Sequence, residues 1–157
     1  MKKILFTILV SVLYLQVRGQ SPANDEKTIM EFLSYVATKN WSLFDRHTMH
    51  FFDTLTDRHL IFYKNDTTNL KFRRQYVLAE LKRLNKQLHQ VKKKDLQIVP
   101  YNDAPDSLQI MQLSPSYRDR SYIAFDRTGS FRRYFLMEEG KIDAFVLWGK
   151  TAFAKLN

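Results

Sequence analysis

The chain has 157 residues, a formal net charge of +9 and no cysteine. Without cysteine it can form no disulfide, thiolate metal site, cysteine nucleophile or lipid-modified N-terminal cysteine, so packing alone must hold a folded domain together. Aromatic residues, 14% of the chain, supply that packing, and four glycines leave little backbone for a phosphate-cradling loop.

In "MKKILFTILVSVLYLQVRGQ", Lys2 and Lys3 precede an apolar run from Ile4 to Leu15, with Val17 and Gly19 as the short residues behind it. This is the pattern of a secretory signal peptide. The run is shorter than the roughly 20 apolar residues of a membrane-spanning helix. Cleavage after Gly19 removes residues 1–19 and leaves 20–157 as a single exported domain, periplasmic or secreted. Lys2, Lys3 and Arg18 depart with the signal, so the mature domain carries +6. Its basicity is local: residues 70–94 hold nine Lys or Arg against Glu80 alone.

The first predicted helix lies in "NDEKTIMEFLSYVATKN", with Asn24 as its N-cap and Ile29, Phe32, Leu33, Val36 and Ala37 at three-and-four spacing. Asn40 ends that pattern. "NWSLFDRHTMHFFDTL" reads as a second or broken helix, and "HLIFYK" as a short strand. The clearest periodicity follows, with Leu70, Val77, Leu81, Leu84, Leu88 and Val91 forming one apolar stripe of a long helix. From Leu96 the period changes to two, and "LQIVPY", "SLQIMQL", "RSYIAFD", "SFRRYFLM" and "KIDAFVLW" read as strands between turns. Helices first and antiparallel strands afterwards make an α+β domain, with N-terminal helices packed on the sheet.

Turn chemistry predicts the registers. A two-residue Glu139-Gly140 turn sets Glu138 opposite Lys141, Met137 opposite Ile142, and Phe135 opposite Ala144. A three-residue Arg127-Thr128-Gly129 loop sets Phe125 opposite Phe131 and Tyr122 opposite Tyr134. One face then carries Ile123, Phe125, Phe131, Arg133, Phe135, Met137, Ile142, Ala144, Val146 and Trp148. The other carries Tyr122, Ala124, Arg132, Tyr134, Leu136, Asp143, Phe145 and Leu147. A one-residue slip in either turn reverses the assignment of a strand.

The step "KNWSLFDR" after the first helix and the closing "LMEEGKIDAFVLW" resemble the nuclear transport factor 2-like superfamily, which includes SnoaL-like and ketosteroid-isomerase-like proteins. The resemblance runs through the mature chain in order. It implies a bent, cone-shaped sheet wrapped around helices, a pocket between them and frequent dimerisation through the sheet. It carries over no catalytic residue, because this sequence has no matching acid, base or tyrosine motif.

Arg133 is the misfit of the core face. A guanidinium keeps its proton and needs a carboxylate, a ligand anion or solvent. It is either a structural or rim arginine, or an anion-recognising group in a pocket lined by Trp41, Phe44, Phe135 and Trp148. His47 and His50, with Asp45 and Asp53 at three-residue steps, could form an acid/base pair, or could simply cap and pair at a surface. A third metal ligand is missing beside them, so neither a metal nor another cofactor is expected. Tyr122, Arg132, Tyr134 and Phe145 form a candidate partner or homodimer surface. Arg73, Arg74, Lys82, Arg83 and Lys86 are either a solvated helix face or a peripheral contact to an anionic envelope surface, nucleic acid being an unexpected partner for an exported chain. The expected function is binding of a small ligand or a protein partner without catalysis. The alternative is a lyase or isomerase with a histidine base and Arg133 on the developing oxyanion.

Overall fold

The computed structural model describes residues 22–41, 58–60, 70–148 and 152–154, with backbone alone at 22, 70–74, 146–148 and 152–154. The signal sequence, Phe44, Asp45, His47, His50 and Asp53 lie outside the described residues, as do the side chains of Arg73, Arg74 and Trp148. Among the described residues, no helix is long and apolar enough to cross a membrane.

Helix α1, Pro22–Thr38, buries Ile29, Phe32, Leu33 and Val36, the positions its apolar spacing singles out. It begins earlier than its sequence suggests. Proline at the first helical position loses no hydrogen bond and has its φ already set, so Asn24 falls inside the first turn instead of capping it. Helix α2, Leu70–Leu88, buries Val77, Leu78, Leu81, Leu84 and Leu88 against α1. The two helices form one apolar layer.

Strands β1 (Leu96–Pro100), β2 (Ser121–Asp126), β3 (Arg132–Glu138) and β4 (Lys141–Ala144) form an antiparallel sheet in sequence order. The fold is therefore α+β, with helices packed on one face of an antiparallel sheet. Glu139 and Gly140 have φ of 50° and 72°, as a two-residue hairpin turn requires, and Glu138 meets Lys141 as its sequence predicts. Past Met137 the prediction fails. The register shifts between Leu136 and Met137, so Ala144 pairs with Leu136 and not with Phe135. Ala144 consequently turns to the far face and Phe145 to the helix face. "KIDAFVLW" is also not one strand: it breaks at Phe145, and β5 (Val146–Trp148) pairs with β6 (Ala152–Ala154) in a second sheet.

The β2–β3 register differs from its prediction by one residue. Tyr122 faces Phe135, Ile123 faces Tyr134 and Ala124 faces Arg133. The cause is a four-residue connection held by a side chain. Asp126 accepts hydrogen bonds from the Thr128 hydroxyl, the Ser130 hydroxyl at 2.9 Å and the Phe131 N–H at 2.7 Å. The Asp126 N–H donates to the Phe131 carbonyl, making those residues the closing pair, and Gly129 takes φ 75° inside the loop. The helix face therefore holds Tyr122 and Ala124, while Ile123 and Phe125 belong to the far face.

That far face is covered by residues 101–118. "SLQIMQL" is not a strand there. Turns closed by Leu108 N–H to Pro105 O and Gln109 N–H to Asp106 O break the run before it can pair. Met111 and Leu113 instead pack on Ile123, Tyr134, Leu136 and Ala144. Tyr134 donates its hydroxyl proton to the Leu108 carbonyl and accepts the Ile110 N–H at 3.2 Å. A short helix α3, Pro115–Arg118, returns the chain to β2. Of "HLIFYK", only His59 and Leu60 are described; Leu60 makes a single parallel bridge to Ile142, whose N–H donates to His59 O at 2.7 Å.

The Asp126 carboxyl is held down from 3.8 to about 2, first by the Thr128 hydroxyl bond, with burial opposing and the Phe131 and Ser130 bonds assisting. A lowered folded value means that its stabilisation is present above the unfolded carboxylate range and is lost as pH falls toward 2. In acid titrations monitored by circular dichroism, Asp126→Asn is expected to be less stable than the parent at neutral pH and to lose less stability between about pH 4 and 2. Parallel acid limbs for the two proteins would contradict this.

Candidate functional site

Arg133 points at the helices, as its place in β3 predicts. Its cross-strand neighbour is Ala124, whose own partner in β1 is Ile98, so a small side chain leaves room beside the guanidinium stem. Across the layer, Glu80, Arg83 and Gln87 share one face of α2 by their three-and-four spacing. Arg133 Nε and Nη2 both donate to the Gln87 Oε1, at 3.1 and 2.6 Å. Glu80, itself 6% exposed, is taken by Arg83 at 2.6 Å. Among the described residues, the half-buried Arg133 thus has a neutral amide as its hydrogen-bond partner and no carboxylate in ion-pair contact. Burial disfavours its charge, partly offset by Glu80 and opposed further by Arg83.

The side-on edge of the guanidinium, Nε with Nη2, is occupied by Gln87. The remaining Nη1 and Nη2 hydrogens form the end-on edge, which matches the two oxygens of a carboxylate. No sequence pattern announced Gln87, because its relation to Arg133 spans 46 residues.

Of the other predicted ligand residues, Phe44 and the side chain of Trp148 lie outside the described residues, and neither Trp41 nor Phe135 lines an open pocket with Arg133. Trp41 is buried with its indole N–H donating to Val36 O at 2.8 Å, and Phe135 is fully buried in the helix-facing core. Both are packing residues here. The predicted partner surface is not assembled either. Tyr122 and Phe145 are buried on the helix face, Tyr134 is 1% exposed beneath residues 101–118, and only Arg132 is exposed, donating to Ser107 O at 3.2 Å. The one-residue register slip and the covering segment account for the difference.

No protein-family model matches this chain, and neither a curated protein nor a solved structure resembles it closely enough to count as a match. The site therefore has to be read from its own chemistry. Among the described residues, no group of three His, Cys, Asp or Glu could hold a metal ion.

Two further titratable contacts escaped the sequence reading. His59 lies against the rings of Phe32 and Tyr35, with centroids 6.2 and 6.1 Å away, and burial lowers its pKa against the opposing pull of Glu31. Tyr122 donates to Asp25 Oδ2 at 3.2 Å, tying the first turn of α1 to β2. Asp25 Oδ1 is buried, with no hydrogen-bond partner among the described residues. Burial raises the Asp25 pKa, partly countered by the Tyr122 bond, and burial with the Asp25 charge raises that of Tyr122.

A carboxyl whose folded pKa is raised stabilises the fold below its unfolded value, and that contribution is lost as pH rises through the folded value. Asp25→Asn keeps an acceptor for Tyr122 without the charge. It is expected to raise the melting temperature at pH 7, with no gain at pH 3. Thermal melts across that range check it, and equal melting temperatures at pH 7 would count against a buried carboxylate.

Proposed function

We propose that the domain is a binding module for a small, weakly anionic ligand, or for a carboxylate presented by a protein partner, and that Arg133 receives the anion without covalent chemistry. The observation that supports this is the half-buried guanidinium whose side-on edge is oriented by neutral Gln87 and whose end-on edge has no carboxylate partner among the described residues. A structural arginine buried for stability alone is normally matched by a carboxylate, because the cost of desolvating a charge is large. The similarity of "KNWSLFDR" and "LMEEGKIDAFVLW" to the nuclear transport factor 2-like superfamily agrees with such a role, since that superfamily contains many binding and accessory domains.

Arg133→Ala separates a ligand residue from a structural one. With no ion pair to break, the substitution is expected to cost less than about 1.5 kcal/mol of stability, the ordinary net worth of hydrogen bonds. Loss of a buried ion-pair partner would instead cost roughly 3 to 5 kcal/mol. Thermal-shift titration against a panel of aliphatic and aromatic carboxylates is expected to give concentration-dependent stabilisation of the parent that Arg133→Ala lacks. Equal stabilisation of both proteins, or none of the parent, rejects the assignment.

A further inference from the structure

Glu80 lies within the field of two guanidiniums. On α2, Glu80, Arg83 and Gln87 share one face and fall within about 10 Å along the helix axis, at ~1.5 Å per residue. Gln87 holds the side-on edge of Arg133, so that guanidinium is drawn to the same stretch of helix. Glu80 and Arg83 both act on its charge, in opposite directions. One buried carboxylate thus stands near two arginines, and the one in contact with it is Arg83, whose Nη1 lies 2.6 Å from Glu80 Oε1.

Burial alone would select the other pairing. The Arg83 side chain is 65% exposed, whereas Arg133 is half-buried, and charges withdrawn from water attract more strongly than charges that solvent screens. Glu80, at 6% exposure, needs a cation, because an isolated buried carboxylate is costly. What directs it to Arg83 is local. Three residues apart on one helix, the two side chains meet without any adjustment of the sheet. The exposed arginine satisfies the buried carboxylate, and the half-buried arginine keeps its end-on edge uncommitted.

We propose that Glu80 is a built-in competitor for Arg133, and that Arg83 keeps the anion site available by holding Glu80 aside. The inference rests on the reading of Arg133 as the anion receiver and adds the residues that regulate it. Arg83 is a positioning residue in this scheme, acting on the ligand only through Glu80. Any group that draws the exposed Arg83 away releases Glu80 toward Arg133, and a carboxylate already on the guanidinium closes the edge that a ligand carboxylate requires.

Two measurements test this, one of them without ligand. Arg83→Ala shortens an exposed side chain and Glu80→Gln keeps the shape of the residue, so both are expected to fold, which circular dichroism checks. In isotope-labelled, ligand-free protein, the Arg133 Nε–H resonance, assigned by its loss in Arg133→Lys, is expected to move in Arg83→Ala as Glu80 turns to the guanidinium. It should return toward its parental position in Arg83→Ala/Glu80→Gln. Titrated with benzoate, Arg83→Ala is expected to bind about tenfold more weakly than the parent, because Glu80 has first to be displaced, and the double variant to regain the parental affinity. Lys86→Ala removes one exposed positive charge from the same helix and should bind like the parent, which separates a contact from a general loss of charge. An unmoved resonance in Arg83→Ala, a double variant as weak as Arg83→Ala, or equal losses in Arg83→Ala and Lys86→Ala overturns the inference, while benzoate binding by the parent leaves the Arg133 reading standing. A parent without affinity for benzoate whose resonance still moves and returns counts against the ligand reading alone and supports Glu80 as the group that Arg83 holds off.

Discussion

The arrangement of both faces of the sheet depends on the carboxylate of Asp126. By holding Thr128, Ser130 and the Phe131 amide at once, it makes the β2–β3 connection four residues long and closes it at Asp126 and Phe131. Side chains alternate strictly along a strand, so this closure decides which half of β2 meets the helices. Tyr122 can reach Asp25 only because that register places it on the helix face, and Ala124 lies beside Arg133 for the same reason. A connection one residue shorter would exchange Tyr122 and Ala124 for Ile123 and Phe125.

Burial on both faces follows from the composition. A disulfide-free domain of this size needs a large share of its apolar surface removed from water, and β2 and β3 are apolar on both sides. The helices supply one cover, with Phe32 packing at 6.2 Å from Phe135 and 5.1 Å from Phe145. Residues 101–118 supply the other with short helical turns, α3 among them, and no strand of their own. Their backbone polar groups are satisfied piecemeal: the Tyr101 hydroxyl takes the Met111 carbonyl, Gln109 takes Ala104 O at 2.6 Å, and Arg118 takes Leu113 O at 2.8 Å. An irregular segment can cover apolar surface when side chains take over the role of a strand ladder.

The helices were legible because their apolar spacing is local and reports directly on burial. Ile29, Phe32, Leu33 and Val36, and then Val77, Leu81, Leu84 and Leu88, are all inside. The Glu139-Gly140 turn was legible for a similar reason, since its two residues carry the conformation by themselves. The Asp126 loop was not, because its length is set by side-chain hydrogen bonds that residue types alone do not reveal. "SLQIMQL" has the alternation of a strand, but the turns closed at Leu108 and Gln109 break it. Of the site, the facing of Arg133 followed from its position between Phe131 and Phe135, both turned to the helices. Its partner did not, and neither did the capping of α1 by Asn85, since Gln87 and Asn85 meet their targets across 46 and 49 residues of chain.

The order of the sheet leaves β1 and β4 as its margins, and they are closed to further strands in different ways. Beside β4, Ile142 gives its amide proton to His59, so that margin is already engaged by the preceding chain. β1 has only five residues, ends in Pro100, which offers no amide proton, and is approached through Lys92, Lys93 and Lys94. A short, proline-ended margin entered through a run of like charges is a poor template for cross-β growth. Among the described residues, both margins of the four-stranded sheet thus disfavour edge-to-edge growth in a chain rich in apolar and aromatic residues.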